Sequence, residues 1–114
     1  MIAFLRALPP LVLAGCTATA PVAVIGEGGD VMRGTATANL QGGSFRVDGK
    51  GRTCAGSYAN TNSLTLSIPL QCSDGKRGIA IVTRDPCLCS GSGRVRMQDG
   101  SEADFIFGQA AEAF

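Results

Sequence analysis

The cysteines are the residues in this sequence whose type and spacing could do chemistry. The chain has 114 residues and contains five cysteines, at positions 16, 54, 72, 87 and 89, and it contains no histidine. A cysteine can serve as a nucleophile, a metal ligand or half of a disulfide, depending on its surroundings. Without histidine, the chain lacks the most common general base and the most common metal ligand. We therefore expect disulfides, and we identify no catalytic residue, metal site or cofactor.

Four of these cysteines form an even set, which in a small exported domain indicates two disulfides with three open connectivities. Cys54 and Cys72 lie on strands that we expect to be neighbours. A disulfide closing the loop between them would contribute about 3 kcal/mol to stability. Cys87 and Cys89 enclose a single residue, so a disulfide between them would be strained and easily reduced. The second pair forms either its own loop disulfide, a crossed pairing with Cys54 and Cys72, or a redox-active pair.

The fifth cysteine, Cys16, ends a short apolar segment at the N-terminus. A single positive charge, Arg6, precedes the apolar residues 7–14, and Leu13-Ala14-Gly15-Cys16 closes the segment. This arrangement is typical of a secretory signal peptide, here over residues 1–15. The apolar run is too short to span a bilayer, which takes about 20 residues, and it contains two prolines.

The Leu-Ala-Gly-Cys sequence resembles the lipobox of bacterial lipoproteins. The resemblance implies cleavage before Cys16, attachment of diacylglycerol to its sulfur and acylation of the new amino group. The residue after the cysteine is Thr17 and not aspartate, which under the sorting rule of that family implies the outer membrane. We expect a protein anchored by lipid to the periplasmic side of the outer membrane, with the cell surface as the alternative.

Charge and length narrow the remaining choices. The sequence has ten Lys and Arg against nine Asp and Glu, with opposite signs interspersed, so nothing suggests nucleic acid as a partner. Cleavage would leave roughly 100 residues, enough for one domain. We predict a lipidated tether over residues 16–29, a β domain over residues 30–108 and a C-terminal tail over residues 109–114 that could make one helical turn. Within the tether, a short strand over residues 22–25 is the alternative.

From Asp30 onward, apolar and polar residues alternate with the period of a β-strand. In residues 31–40 and 64–71 the small or apolar residues, including Leu40 and Leu64, fall on one face of each strand, which we expect to face the core. In the strand between them, Phe45 and Val47 are predicted to point inward. Pro69 lacks a backbone N–H, so we expect it at a sheet edge or with its nitrogen facing water. Residues 79–82 are continuously apolar and predict a strand covered on both faces. We therefore predict an all-β fold: about seven antiparallel strands in a meander that closes into a small barrel or sandwich, stapled by disulfides.

Three Asp-Gly pairs recur at intervals of about 25 residues. They are Asp48-Gly49, Asp74-Gly75 and Asp99-Gly100. Asp-Gly favours a two-residue type I′ hairpin turn, in which both central residues have positive φ. The last two pairs, with the Gly-Ser-Gly run at residues 91–93, are similar to MORN-type hairpin repeats, although no Tyr-Glu-Gly follows the turns. A closer likeness is to small β-rich bacterial lipoproteins with a Cys-Ser-Asp-Gly turn, and that likeness implies no activity.

Together these features favour a lipid-anchored envelope protein that acts as a non-enzymatic structural, accessory or protein-interaction module. Its partners would be the membrane, through the lipid on Cys16, and an envelope protein or complex. One alternative is a periplasmic inhibitor of a hydrolase such as lysozyme, because lipoproteins that inhibit lysozyme are small disulfide-bonded β-barrels. The other alternative is a thiol–disulfide redox protein that uses Cys87 and Cys89.

Overall fold

A computed structural model describes residues 18–59, 63–86 and 89–114. They form an antiparallel meander of eight strands in which β8 also pairs with β1, so that the sheet closes into a barrel. The strands are β1 (Ala18–Gly26), β2 (Val31–Asn39), β3 (Gly42–Gly49), β4 (Arg52–Ala59), β5 (Thr65–Cys72), β6 (Arg77–Arg84), β7 (Gly91–Met97) and β8 (Glu102–Phe107). The predicted all-β barrel is confirmed, with eight strands rather than about seven.

One short helix follows the barrel. It is a 3-10 helix over Gln109–Ala113, in the tail where we predicted a helical turn, and it packs against β1. No helix in the described ranges is long and apolar enough to cross a membrane.

The additional strand is β1, which lies inside the stretch that we predicted to be a tether. It pairs with β2 from Ala18↔Ala38 to Ile25↔Val31 and with β8 from Val22↔Phe107 to Gly26↔Ala103. The tether prediction over residues 16–29 is therefore wrong for residues 18–26. The sequence of β1 is mostly small and apolar, so it lacks the polar alternation that marks the other strands. Its place in the sheet depends on two pairing edges that only the rest of the barrel supplies.

The inward-facing residues of the strands form the core of the barrel, as the alternation predicts. Phe45 and Val47 are buried, as are the inward residues of β5 and β7. Tyr58 and Phe107 are partly buried and pack against the same core. The core consists of Val22, Met32, Phe45, Val47, Cys54, Leu66, Ile68, Leu70, Cys72, Ala80, Val82, Val95, Met97 and Phe105.

Four apolar side chains that we placed in the core are exposed instead. Leu40 lies in the turn after β2 and is 78% exposed, and Leu64 precedes β5 and is 44% exposed. Ile79 and Ile81 lie on the outer face of β6 and are 49% and 45% exposed. A barrel of this kind is one layer of sheet, so only the inner face of β6 is covered, and the prediction of two covered faces is wrong.

Of the two positions that we predicted for Pro69, the sheet edge is wrong, because the closed barrel has no edge. Pro69 lies in the middle of β5 and pairs with Ile79 of β6. On the other side of β5, the described ladder to β4 contains three pairs, Cys54↔Cys72, Ala55↔Gln71 and Gly56↔Leu70, and ends next to the proline. The missing N–H of Pro69 therefore coincides with the end of a short ladder.

Glycines allow the sheet to bend sharply enough to close. A Cβ atom at Gly34 would lie 1.7 Å from the carbonyl oxygen of Arg46, and one at Gly93 would lie 1.9 Å from that of Ile81. Neighbouring backbone therefore occupies the space that any side chain would need at these positions. Glycine at such points is a means by which a β-sheet curves into a barrel.

Candidate functional site: the open end of the barrel

The two ends of the barrel are built differently. At one end, which we call the hairpin end, four tight turns over residues 27–30, 50–51, 73–76 and 98–101 join the strands in pairs. At the other end, which we call the closed end, lie the start of β1, the turn after β2, and the described residues between β4 and β5 and between β6 and β7. The candidate site lies at the hairpin end.

Three of the four turns have the same backbone hydrogen bonds. In the turn after β5, Cys72 N–H donates to Lys76 O at 2.8 Å and Gly75 N–H donates to Cys72 O at 2.9 Å. The turns after β1 and β7 repeat this pattern, and in all three only the glycine has positive φ, near 90°. This is a three-residue loop with a left-handed glycine after a type I turn. The type I′ prediction for Asp74-Gly75 and Asp99-Gly100 is therefore wrong in turn type, although both pairs do lie in hairpin turns.

The remaining turn is displaced from the predicted Asp-Gly pair. Asp48 and Gly49 are the last residues of β3, and the turn itself is Lys50-Gly51. Lys50 has φ of 52° and Gly51 has φ of 75°, the two positive values that a type I′ turn requires. The prediction at Asp48-Gly49 is wrong by two residues, because a lysine in the left-handed region is uncommon and leaves no sequence signal.

A closed series of polar contacts, which we call the turn ring, links each turn to the next around the hairpin end. Three of its contacts are ion pairs, and one is a hydrogen bond that a backbone N–H donates to a carboxylate. They are Lys50 Nζ to Asp30 Oδ2 at 2.6 Å, Arg52 Nη1 to Asp74 Oδ2 at 3.1 Å, Lys76 Nζ to Asp99 Oδ2 at 3.3 Å, and Glu102 N–H to Glu27 Oε1 at 3.1 Å. Exposed ion pairs are individually weak, but these connect all four turns into one rim.

The aspartates of the two Asp-Gly turns also bind their own loops. Asp99 Oδ1 accepts hydrogen bonds from the hydroxyl and the backbone N–H of Ser101, at 2.6 and 2.9 Å. These two bonds, followed by the contact with Lys76, lower the pKa of Asp99 to about 2. The pKa of Asp74 is also lowered, first by the backbone N–H of Lys76 and further by Arg52, against a smaller opposing effect of desolvation. Both carboxylates are therefore charged at neutral pH.

Below the turn ring, the barrel contains a cavity of about 260 Å³ that opens at the hairpin end. Phe45 lies at its inner limit, where it packs edge-on against Phe105 with ring centroids 5.0 Å apart. The side walls are apolar and include both described methionines. The wall residues are Val24, Met32, Val47, Cys54, Leu70, Val95, Met97 and Ala103, and the polar lining residues are Glu27, Arg52, Ser101 and Glu102.

The half of the barrel toward the closed end is filled. Larger side chains, among them Phe107, Tyr58 and Leu66, leave only about 30 Å³ there. Arg84 is buried in this half, lies over the ring of Tyr58 at 6.0 Å from the centroid, and donates to the backbone oxygen of Ser63. The guanidinium thus closes the interior with a cation–π contact and a hydrogen bond.

The cysteines show the outcome of the disulfide predictions. Cys54 and Cys72 are directly opposite each other on β4 and β5 and form a disulfide, with Cα atoms 3.9 Å apart. This is one of the pairings that the sequence left open, and it rules out a crossed pairing with Cys87 and Cys89. Cys89 is also disulfide-bonded and exposed. Cys87 and the proposed lipidation site, Cys16, lie outside the described residues, so the lipid anchor and the redox pair stay predictions.

Sequence reasoning did not find the cavity or the residues at its opening. Glu27, Arg52, Ser101 and Glu102 belong to turns or to the first residue of a strand, where the alternation is no longer informative. The only signal was the small size of inward positions near the turns, such as Ala103. In the part of the chain that the structure describes, no three His, Cys, Asp or Glu residues are grouped so that they could hold a metal ion.

Comparison with known proteins extends the description of the fold. No protein-family model and no curated protein matches the chain. Among solved structures, it is similar to a redesigned β-barrel bound to DFHBI, with a TM-score of 0.61 and 15% identity over 81% of this chain and 96% of the other. It is also similar to a de novo designed fluorescence-activating β-barrel, with a TM-score of 0.58 and 23% identity over 80% and 90% of the two chains. At these identities the similarity shows a shared small-barrel fold.

Proposed function

We propose that this chain is a lipid-anchored protein of the bacterial outer membrane, on its periplasmic side, and that its barrel is a non-enzymatic module for interaction with an envelope protein or complex. The observation that carries the proposal is the position of Ala18, the first residue of β1, at the closed end. Only Thr17 separates it from Cys16, so the extended chain spans at most about 7 Å between Cys16 and the barrel. A lipid on Cys16 would therefore hold the closed end against the membrane.

The distribution of charge supports this orientation. The four turns of the hairpin end carry Glu27, Asp30, Lys50, Asp74, Lys76 and Asp99. The described connections at the closed end carry one charged residue, Asp85, whose carboxylate accepts a hydrogen bond from the hydroxyl of Ser90 at 2.5 Å. The tail that follows β8 at the same end adds Glu112. Leu40 and Leu64 are exposed at this end. A surface with few charges and exposed leucines loses little hydration on approaching lipid.

In this orientation the hairpin end and the outer wall of the barrel face away from the membrane and are available to a partner. The similarity to designed barrels, one of them described as bound to DFHBI, supports a binding module rather than an enzyme. Inhibition of a hydrolase such as lysozyme and thiol–disulfide exchange at Cys87 and Cys89 remain the alternatives, and no contact of the described residues favours either.

The anchor is tested by the intact mass of protein extracted from membranes. We expect loss of residues 1–15, added acyl mass on Cys16, and release of the Cys16→Ser variant from the membrane fraction. A chain without acyl mass would refute the anchoring.

The orientation is tested separately, with tryptophan reporters in the lipidated chain, which has no tryptophan of its own. In vesicles containing brominated lipid, the fluorescence of a Leu40→Trp variant should be quenched and that of a Lys50→Trp variant should not. Equal quenching at both ends would show that the closed end does not face the membrane.

A further inference from the structure

We propose that the cavity at the hairpin end is a binding site for a small, uncharged and mainly apolar molecule that carries one hydrogen-bonding group. The ligand would lie with its apolar part against Phe45 and its polar group among the residues of the opening. This site goes beyond the proposed anchoring function and does not depend on it, because every residue that lines it lies within the barrel.

The size and the lining of the cavity set the class of ligand. An apolar cavity of about 150 Å³ is large enough to bind benzene. The cavity here is about 260 Å³, so it has room for a two-ring aromatic molecule or a short acyl chain. The walls below the turn ring are aliphatic or sulfur-containing, and such a surface favours a ligand that leaves water by burying apolar area.

The two halves of the barrel differ in the size of their inward side chains, which indicates that the sequence itself leaves the cavity open. The filled half contains phenylalanine, tyrosine, leucine, isoleucine and arginine beside the smaller Ala36, Ser44 and Val82. The hairpin half has valine or alanine at four inner positions, beside the larger Leu70. The larger wall residues there include Met32 and Met97. Methionine is unbranched and polarizable, so its side chain adapts to ligands of different shape.

The opening favours a neutral ligand over an anion because its cationic residue, Arg52, already has a partner. Glu27 accepts the backbone N–H of Glu102 at 3.1 Å, and Glu102 pairs with Arg94 at 2.6 Å and with Arg96 at 3.3 Å. Arg52 pairs with Asp74 at 3.1 Å. An anionic ligand would leave water to face the carboxylates of Glu27 and Glu102 while Arg52 is already paired, which is costly, whereas a hydroxyl or amide could donate to these carboxylates.

The rim of the site is also held in place before a ligand arrives. The turn ring joins the four turns, and the Cys54–Cys72 disulfide lies in the cavity wall through Cys54. Binding to a preformed cavity requires little ordering of side chains or loops, so more of the apolar burial is expressed as affinity.

The test uses 2-naphthol, a neutral two-ring aromatic molecule with one hydroxyl group, and the full-length chain carrying Cys16→Ser, which cannot be lipidated. Calorimetry should show saturable binding of one molecule per chain. Naphthalene-2-sulfonate, which has the same rings and a permanent charge, should bind at least tenfold more weakly. Equal affinity for the two compounds would overturn the assignment to uncharged ligands.

A matched pair of substitutions locates the binding. Ala103→Leu adds an apolar side chain inside the cavity and should weaken 2-naphthol binding at least tenfold. Ala55→Leu makes the same change on the exposed face of β4 and should change the affinity less than twofold. Circular dichroism establishes that both variants are folded. Binding that is unchanged by Ala103→Leu would place the ligand outside the cavity and refute the proposal.

A second readout avoids substitution in the barrel altogether. With ¹³C-labelled methionine methyl groups, ring currents from bound 2-naphthol should shift the signals of Met32 and Met97 and leave that of Met1 unchanged. Absence of shifts at both cavity methionines would overturn the proposal even if Ala103→Leu failed to fold. Because this chain lacks Cys16 and cannot be lipidated, a negative binding result does not bear on the proposed lipid anchor. In the same way, failure to find the anchor does not bear on the binding result.

Discussion

Removal of the Cys54–Cys72 disulfide should lower the stability of the barrel by about 3 kcal/mol or somewhat more. The two cysteines are separated by 18 positions, and a loop of that size loses about 3 kcal/mol of denatured-state chain entropy when it is cross-linked. Both side chains are buried, so replacing them with alanine also removes packing. A small domain has a total stability of about 5–15 kcal/mol, so the loss is a large fraction of it.

The structure also predicts which part of the native barrel becomes less stable when the disulfide is removed. The described β4–β5 ladder contains three residue pairs, whereas the β5–β6 ladder contains seven. The disulfide therefore joins the two strands where backbone pairing is shortest. In the Cys54→Ala/Cys72→Ala variant, amide hydrogen exchange should increase more at Ala55, Gly56 and Gln71 than at amides of the β1–β2 ladder.

The assay is equilibrium unfolding in guanidinium chloride, with the full-length chain carrying Cys16→Ser as the parent. Reductant provides the control, because it should destabilise the parent strongly and the double alanine variant only slightly, which separates this disulfide from the one at Cys89. A loss below about 1 kcal/mol would refute the cross-linking argument. Uniform acceleration of exchange over the whole barrel would refute the argument that the β4–β5 ladder is weak.

Two further predictions concern the curvature of the sheet and the turn ring. Gly93→Ala would place a Cβ atom 1.9 Å from the carbonyl oxygen of Ile81, so it should lower the free energy of unfolding by about 2–3 kcal/mol. In the control variant Gly28→Ala the nearest atom would be 3.7 Å away, and the free energy of unfolding should change by less than about 0.5 kcal/mol. Similar values for both variants in chemical unfolding would contradict the close approach at Gly93. Asp99 has a folded pKa of about 2 against an ordinary value of 3.8, so its contribution is present above pH 3.8 and is lost as the pH falls toward 2. Asparagine at this position keeps an oxygen for the N–H of Ser101 but does not titrate. Between pH 5 and pH 2, the unfolding temperature of Asp99→Asn should therefore decline less than that of the unsubstituted protein. An identical decline in both proteins would exclude Asp99 as a source of the acid sensitivity.

The predicted fold succeeded where the sequence pattern is local. Alternation identified Phe45 and Val47 of β3 as inward-facing and placed Leu66, Ile68 and Leu70 of β5 on one face, because successive side chains of a strand point to opposite faces. The Asp-Gly pairs marked the positions of two of the four turns at the hairpin end correctly. The choice between turn types failed, because Asp-Gly is compatible with both a type I′ turn and a three-residue loop, and strand register decides between them.

The candidate site was not predictable in the same way. Its polar residues come from the turns after β1, β3 and β7, which are distant in sequence and meet because the barrel closes. Each of them alone is an ordinary surface residue in a loop. The volume of the cavity depends on the width of the closed barrel and on the combined volume of the inward side chains from all strands. It therefore cannot be predicted from any single segment of the sequence.

The sequence by itself determined the inner and outer faces of most strands, the presence of disulfides, and the resemblance to a lipobox on which the expected localisation rests. It left the pairing of the cysteines open. Only the tertiary structure decided that residues 18–26 are a strand, that Ile79 and Ile81 face outward, and that one half of the interior stays open. The physical reason is that alternation sets the face of a side chain, whereas closure depends on the register and curvature of all eight strands together.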